Sequence, residues 1–243
     1  MTDIYAHRGC AGVPTPRENT IAAFLAAARL GADGVELDVW RTARGELAVH
    51  HDRHVPLVGD VTNVPAAQLP SDLPMLAEAL DVCVAHGLAV NVEVKCAGDC
   101  EPTAAAVAAA LEDRPGRPGR PGRLVVSSFD PACLAALRAA GSTVARGLLV
   151  DWHEDPEAAA RRAVALGCST LHPFVTQVDG ALAGLAGALG LGLHVWTVNA
   201  DADLEAMARL GVAAVITDRV PAARAVLARV AADEPRNGGG VYG

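Results

Sequence analysis

The alternation of short apolar strands with alanine-rich helices predicts a (β/α)8 barrel, the TIM-barrel class of α/β fold. Three observations carry that expectation. Eight strand–helix units follow one another within 243 residues, which suits a closed barrel of this size. No glycine-rich phosphate loop follows the first strand, as an open, doubly wound sheet would require. The polar residues that interrupt the strands gather at the strands' C-terminal ends, the working face of such barrels.

The elements follow in order. Residues 3–6 (DIYA) form a strand that runs into His7-Arg8-Gly9. After a loop with two prolines, Glu18-Asn19-Thr20 precedes a helix, IAAFLAAARL, stopped by Gly31. Residues 34–40 (GVELDVW) form the second strand, and residues 46–50 fold back on it as a hairpin turned at Gly45. Helices are expected over 75–86, 103–111, 134–140 and 157–166, and strands over 88–95, 123–127, 143–150 and 168–171. Glycines 87, 141 and 167 stop three of those helices. Leu182, Leu185 and Leu189 mark one face of a further helix. A strand over 193–198, a helix over 204–210 stopped by Gly211, a strand over 213–217 and a helix over 222–231 complete the chain. Residues 114–123 repeat Arg-Pro-Gly and read as a solvated loop. The expectation is one domain over residues 1–232 and a disordered tail over 233–243.

Composition narrows the partners. Half the residues are hydrophobic but only 3% are aromatic, so Ala, Val and Leu must build the core. The net charge of −8 argues against nucleic acid or an anionic membrane surface as a partner. An anionic ligand would need a local island of positive charge. The longest charge-free apolar run, residues 180–193, is broken by five glycines and is shorter than the roughly 20 residues of a membrane span, so no integral membrane segment is expected. The start MTDIYAHRG lacks the pattern of a secretory signal, which points to a cytoplasmic location. The six cysteines show no repeated CxxC. Cys96 and Cys100 could bridge, but free thiols are expected. The expected assembly is a monomer or a homodimer.

The chemistry centres on Glu36 and Asp38. Residues two apart on a strand project from one face, and two like charges held that close repel unless a cation lies between them. The alternative is an exposed edge strand with two solvated acids. Against that stands the company at the other strand ends: His7 and Arg8, His51, Glu93 and Lys95, then Trp196, Thr197 and Asn199, and Asp218. His50 points away from His51 and reads as structural, and His172 and His194 as core or rim residues. Trp196 is a candidate pocket wall.

Taken together, HRG, ENT, E-x-D, HD, E-x-K, WTVN and ITDR, spread in that order over residues 5 to 225, resemble the glycerophosphodiester phosphodiesterase family. The resemblance implies a (β/α)8 barrel, one divalent cation, Mg²⁺ or Ca²⁺, and hydrolysis of small-molecule glycerophosphodiesters to sn-glycerol 3-phosphate and an alcohol. It puts the metal carboxylates on Glu36, Asp38 and Glu93, the catalytic histidines on His7 and His51, and the phosphate-contacting bases on Arg8 and Lys95, with Glu18 and Asn19 supporting the site. The residue types suit that chemistry. Carboxylates hold hard cations, histidine is the natural proton carrier near neutrality, and fixed positive charge stabilises a phosphoryl group. The chain departs from the family pattern in three places. Arg17 stands before ENT where proline is usual, and only about twenty residues separate His51-Asp52 from the next helix, so the capping insertion is much shortened. The Arg-Thr-Thr expected after HD is also missing. Two rival readings stay open: a lysophospholipase D-like enzyme on the same site, and a catalytically silent barrel that binds metal or phosphate.

Overall fold

A computed structural model describes residues 2–10, 16–112 and 124–233. The Arg-Pro-Gly repeat and the glycine-rich tail lie outside them. The strands are β1 (Asp3–Ala6), β2 (Gly34–Arg41), β3 (Leu47–Val49), β4 (His54–Val55), β5 (Gly59–Asp60), β6 (Ala89–Val94), β7 (Leu124–Ser128), β8 (Ala145–Leu149), β9 (Thr170–His172), β10 (Gly192–Val195) and β11 (Ala214–Thr217). The helices are α1 (Ile21–Arg29), α2 (Leu76–Ala85), α3 (Cys100–Glu112), α4 (Pro131–Ala139), α5 (Pro156–Ala165), α6 (Gly180–Ala188), α7 (Asp201–Leu210) and α8 (Val220–Asp233).

Eight strands run parallel in the order β1-β11-β10-β9-β8-β7-β6-β2, and β1 also pairs with β2, Tyr5 opposite Gly34, which closes the barrel. The expected hairpin is present, β3 lying antiparallel on β2 with Val39 opposite Val49. A second, two-stranded hairpin of β4 and β5 fills the short insertion and was not expected. Helices α4 and α6 begin before the first apolar residue of their patterns. Asp130 and Asp179 cap them, each side chain accepting from a backbone N–H two or three residues on, and Pro131 occupies the first turn of α4.

Every barrel strand is bonded on both edges, its outer face covered by the helices and its inner face by the packed barrel interior. Ile4, Val35, Leu37, Val90 and Val92 point outward and pack beneath the helices with Phe24, Leu80, Leu134 and Leu204. The alternate residues point inward, and many of them are polar: Glu36, Asp38, Asn91, Glu93, Ser127, Thr170, His172 and His194 are all buried. Ring packing places Tyr5, His194 and His172 in contact, with centroids 5.6 and 4.8 Å apart. Small residues make room for these rings. A Cβ on Gly147 would collide with Nε2 of His172, and one on Gly34 would lie 2.7 Å from the Tyr5 ring. All six cysteines are free thiols.

Candidate active site

The register across β2 and β6 sets Asp38 opposite Glu93 and Glu36 opposite Asn91. Glu36, Asp38 and Glu93 thereby offer one oxygen each, all within 4.8 Å of one another, at 4%, 1% and 8% exposure. Three buried carboxylates this close cannot all ionise without compensation. Burial, and then the charge of Asp38, push Glu36 up to about 8. Burial and Asp38 likewise raise Glu93. Asp38 goes the other way. Burial opposes its charge, but Lys95, the Asn19 amide and Arg8 together hold it below the ordinary carboxylate range. Lys95 Nζ lies 3.0 Å from Asp38 and 2.5 Å from Glu93. Oε1 of Glu36 is buried with no hydrogen-bond partner. An all-oxygen set with an unpaired buried oxygen suits a hard divalent cation.

The turn after β1 brings the cationic side to this cluster. Arg8 has a φ of 53° and Gly9 one of 77°, a left-handed pair in which only glycine fits at the second position, because a Cβ there would lie 2.8 Å from that of Ala23. This turn aims the Arg8 amide at Oε2 of Glu36, 3.0 Å away. The Arg8 guanidinium reaches Asp38 at 3.5 Å and is steadied by Glu18 at 3.0 Å. Asn19, also left-handed with a φ of 54°, donates from Nδ2 to Asp38 at 2.8 Å and accepts the Asp38 amide at 3.3 Å.

The two histidines are held alike. Nδ1 of His7 meets Asp218 at 2.8 Å and Nδ1 of His51 meets Asp52 at 2.7 Å. In each pair the hydrogen bond to the imidazole is the largest cause that lowers the carboxylate. Burial works against protonation of His7, but Asp218 and Glu36 outweigh it and hold its pKa above the ordinary value. Asn199 fixes Asp218 in turn, donating to its carboxylate at 2.6 Å and accepting its backbone N–H at 2.9 Å. The Trp40 indole donates to the His51 carbonyl at 3.0 Å and anchors that loop.

One cavity of about 230 Å³ is lined by His7, Arg8, Glu36, His51, Asn91, Glu93 and Lys95 together with Phe129, Leu149, Trp196 and Ile216. Trp196 packs edge to face between Phe129 and Phe174, with centroids 5.5 and 5.2 Å away. Of the residues expected from the sequence, His7, Arg8, Glu36, His51, Glu93, Lys95 and Trp196 line this cavity, while Asp38 lies against Lys95, Arg8 and Asn19, and Asp218 and Asn199 lie behind His7. His50 instead turns to the Asp52 carbonyl, and His172 and His194 lie inside the barrel. Sequence reasoning missed Asn91, Phe129, Leu149 and Ile216 as lining residues, and it did not link Asp218 to His7. For Asn91 a signal existed, since it precedes Glu93 by two on the same strand and so shares its face.

A closed barrel whose strand ends gather three acids, two cations and two carboxylate-held histidines around one cavity has the equipment of an enzyme site for an anionic substrate. Comparison with known proteins gives the family. The profile of the glycerophosphoryl diester phosphodiesterase family matches residues 7–222, and the chain belongs to that family. It is 30% identical to a glycerophosphodiester phosphodiesterase of Caldanaerobacter subterraneus subsp. tengcongensis over 89% of this chain and 94% of the relative. It is 28% identical to one of Bacillus altitudinis over 90% and 95% of the two chains. Among solved structures, a phosphodiesterase of Oleispira antarctica in complex with the product sn-glycerol-3-phosphate superposes with a TM-score of 0.84 at 26% identity, covering 94% of this chain and 97% of that one.

Proposed function

We propose that this chain hydrolyses glycerophosphodiesters to sn-glycerol 3-phosphate and an alcohol, with one divalent cation, Mg²⁺ or Ca²⁺, held by Glu36, Asp38 and Glu93. The observation that carries the reading is the placement of two imidazoles, each pinned through Nδ1 by a carboxylate, on a cavity shared with three clustered acids. When bound, the cation would supply Lewis acidity to the phosphoryl oxygens. Arg8 and Lys95 bring fixed positive charge to the cavity wall and bind phosphate oxygens. Asp218 and Asp52 orient His7 and His51 so that Nε2 is the nitrogen left for the substrate. One imidazole takes the proton of the nucleophile, water or the neighbouring glycerol hydroxyl, and the other gives a proton to the departing alkoxide. The Trp196 face forms the apolar wall against which the substrate rests.

The test is replacement of His7 and His51 singly by alanine. Each variant should lose about 10²–10⁴ in kcat, the usual worth of general acid–base catalysis, while divalent-cation affinity hardly changes. Activity recovered by excess cation would refute the assignment for that histidine.

A second reading draws on the mouth of the barrel. Phe129 and Trp152 are exposed at 40% and 63%, on the segments that follow the C-termini of β7 and β8. Such a rim favours an amphipathic substrate, so lysophospholipids belong beside glycerophosphocholine and glycerophosphoethanolamine in the substrate panel.

A further inference from the structure

The floor of the cavity carries an amide with nothing to bind. Asn91 lies two residues before Glu93 on β6, faces the cavity and is 1% exposed, yet neither Nδ2 nor Oδ1 has a hydrogen-bond partner. On the adjacent strand Ser127, opposite Glu93 in register, buries an equally unpaired hydroxyl. Unpaired buried polar groups are unfavourable, and a parallel barrel strand is ordinarily filled with Val, Ile or Leu. The amide is therefore held ready for a partner that comes from outside.

Depth in the barrel says what that partner is. A strand rises about 3.3 Å per residue, so Asn91 lies about 6.6 Å below Glu93 along β6, level in register with Glu36, the innermost of the three acids, and away from Lys95. A phosphate held by Lys95, four residues further out just past the end of the same strand, does not reach that far, but a three-carbon polyol attached to it does. The same cavity offers Leu149 and Ile216 for a carbon chain. A hydroxyl both donates and accepts, and an amide answers both functions.

We propose that Asn91 is the residue that selects the glycerol half of the substrate, its amide exchanging hydrogen bonds with the glycerol hydroxyls while Leu149 and Ile216 hold the carbon chain. The inference rests on the phosphodiesterase reading above.

The experiment compares wild type with Asn91→Leu and Asn91→Ala on three diesters: glycerophosphoethanolamine, its propyl analogue lacking both glycerol hydroxyls, and bis(p-nitrophenyl) phosphate. Calorimetry of sn-glycerol 3-phosphate against propyl phosphate runs in parallel. Wild type should favour the glycerol diester over the propyl one by about 10²-fold or more in kcat/KM, as sites built to bind a hydroxyl do. Both variants should lose that preference, with a drop on the glycerol diester that exceeds any drop on the propyl and aryl diesters by about 10²-fold. Asn91→Leu should melt no lower than wild type, because it replaces an unpaired amide by an apolar group. A wild type that treats the glycerol and propyl diesters alike overturns the inference, and so does a preference retained in the variants. Equal loss on all three diesters also overturns it, since Asn91 would then support the acids rather than read glycerol. If wild type turns over none of them, the phosphodiesterase reading fails, and the calorimetry still decides: selectivity for glycerol 3-phosphate lost in the variants sustains the inference, and selectivity kept refutes it.

Discussion

Asn19 allows the support of the acid cluster to be measured apart from the backbone that carries it. It is 4% exposed and left-handed, and both of its side-chain polar atoms are committed to Asp38. Alanine removes both bonds. The bond to the carboxylate, at 2.8 Å, belongs to the charged class worth about 1.5–3 kcal/mol, and the longer one from the Asp38 amide to a neutral acceptor is worth about 1 kcal/mol. Alanine must also hold a left-handed backbone that asparagine tolerates, at a cost of about 1 kcal/mol. Asn19→Ala should therefore lose about 4 kcal/mol and Asn19→Gly about 3 kcal/mol, since glycine is spared the backbone cost. Urea unfolding at pH 7 in the presence of chelator measures both. The order matters more than the sizes, because glycine ordinarily destabilises relative to alanine and here should do the reverse. Asp38 also loses a donor that lowers its pKa, so both variants should bind divalent cations more weakly near neutrality. Variants within about 1 kcal/mol of wild type, or an alanine variant at least as stable as the glycine one, would refute the reasoning.

Two further outcomes follow from the imidazoles. Asp218 raises the pKa of His7, so Asp218→Asn should move the limb of the pH–rate profile that belongs to His7 to lower pH and cut kcat by about 10²; an unmoved limb would show that Asp218 does not orient a working group. His194, 7% exposed, is lowered by burial from 6.5 to about 4, and burial and its neighbour lower His172 as well. The unfolded chain therefore binds protons that these residues refuse in the folded state, so stability is unaffected above pH 6.5 and falls as the pH drops from there toward 4. For His194 the lowering from 6.5 to about 4 amounts to no more than about 3–4 kcal/mol. Urea midpoints at pH 7.5 and 4.5 should diverge in wild type and converge in His194→Gln, and equal acid sensitivity of the two would contradict the attribution.

Much of the fold could be read because its punctuation is local. Glycines 87, 141, 167 and 211 follow helices, and all four are left-handed as a helix stop requires. The early starts of α4 and α6 were missed because attention to leucine spacing overlooked the capping aspartates just upstream. The polar interior was harder. In a parallel barrel both faces of a strand are buried, so alternation separates two sets of residues without saying which set points inward, and His172 and His194 could be read as rim. Within the site, the acids were legible because two carboxylates on one strand face demand a counter-charge. The His7–Asp218 contact was not, since it joins the first strand to the last across the closure of the barrel, 211 residues apart in sequence. The β4–β5 hairpin is too short for any period to announce it.

The central claim is that Glu36, Asp38 and Glu93 share one divalent cation on which diester hydrolysis depends. Metal-depleted protein titrated with Mg²⁺ and with Ca²⁺ while sn-glycerol 3-phosphate release from glycerophosphocholine is followed tests it directly, with Glu36→Gln, Asp38→Asn and Glu93→Gln titrated alongside. Turnover should be absent without cation, should saturate at one ion per chain for at least one of the two metals, and that binding should be lost in all three variants. Full turnover by the metal-depleted protein, or undiminished binding in the variants, would contradict it.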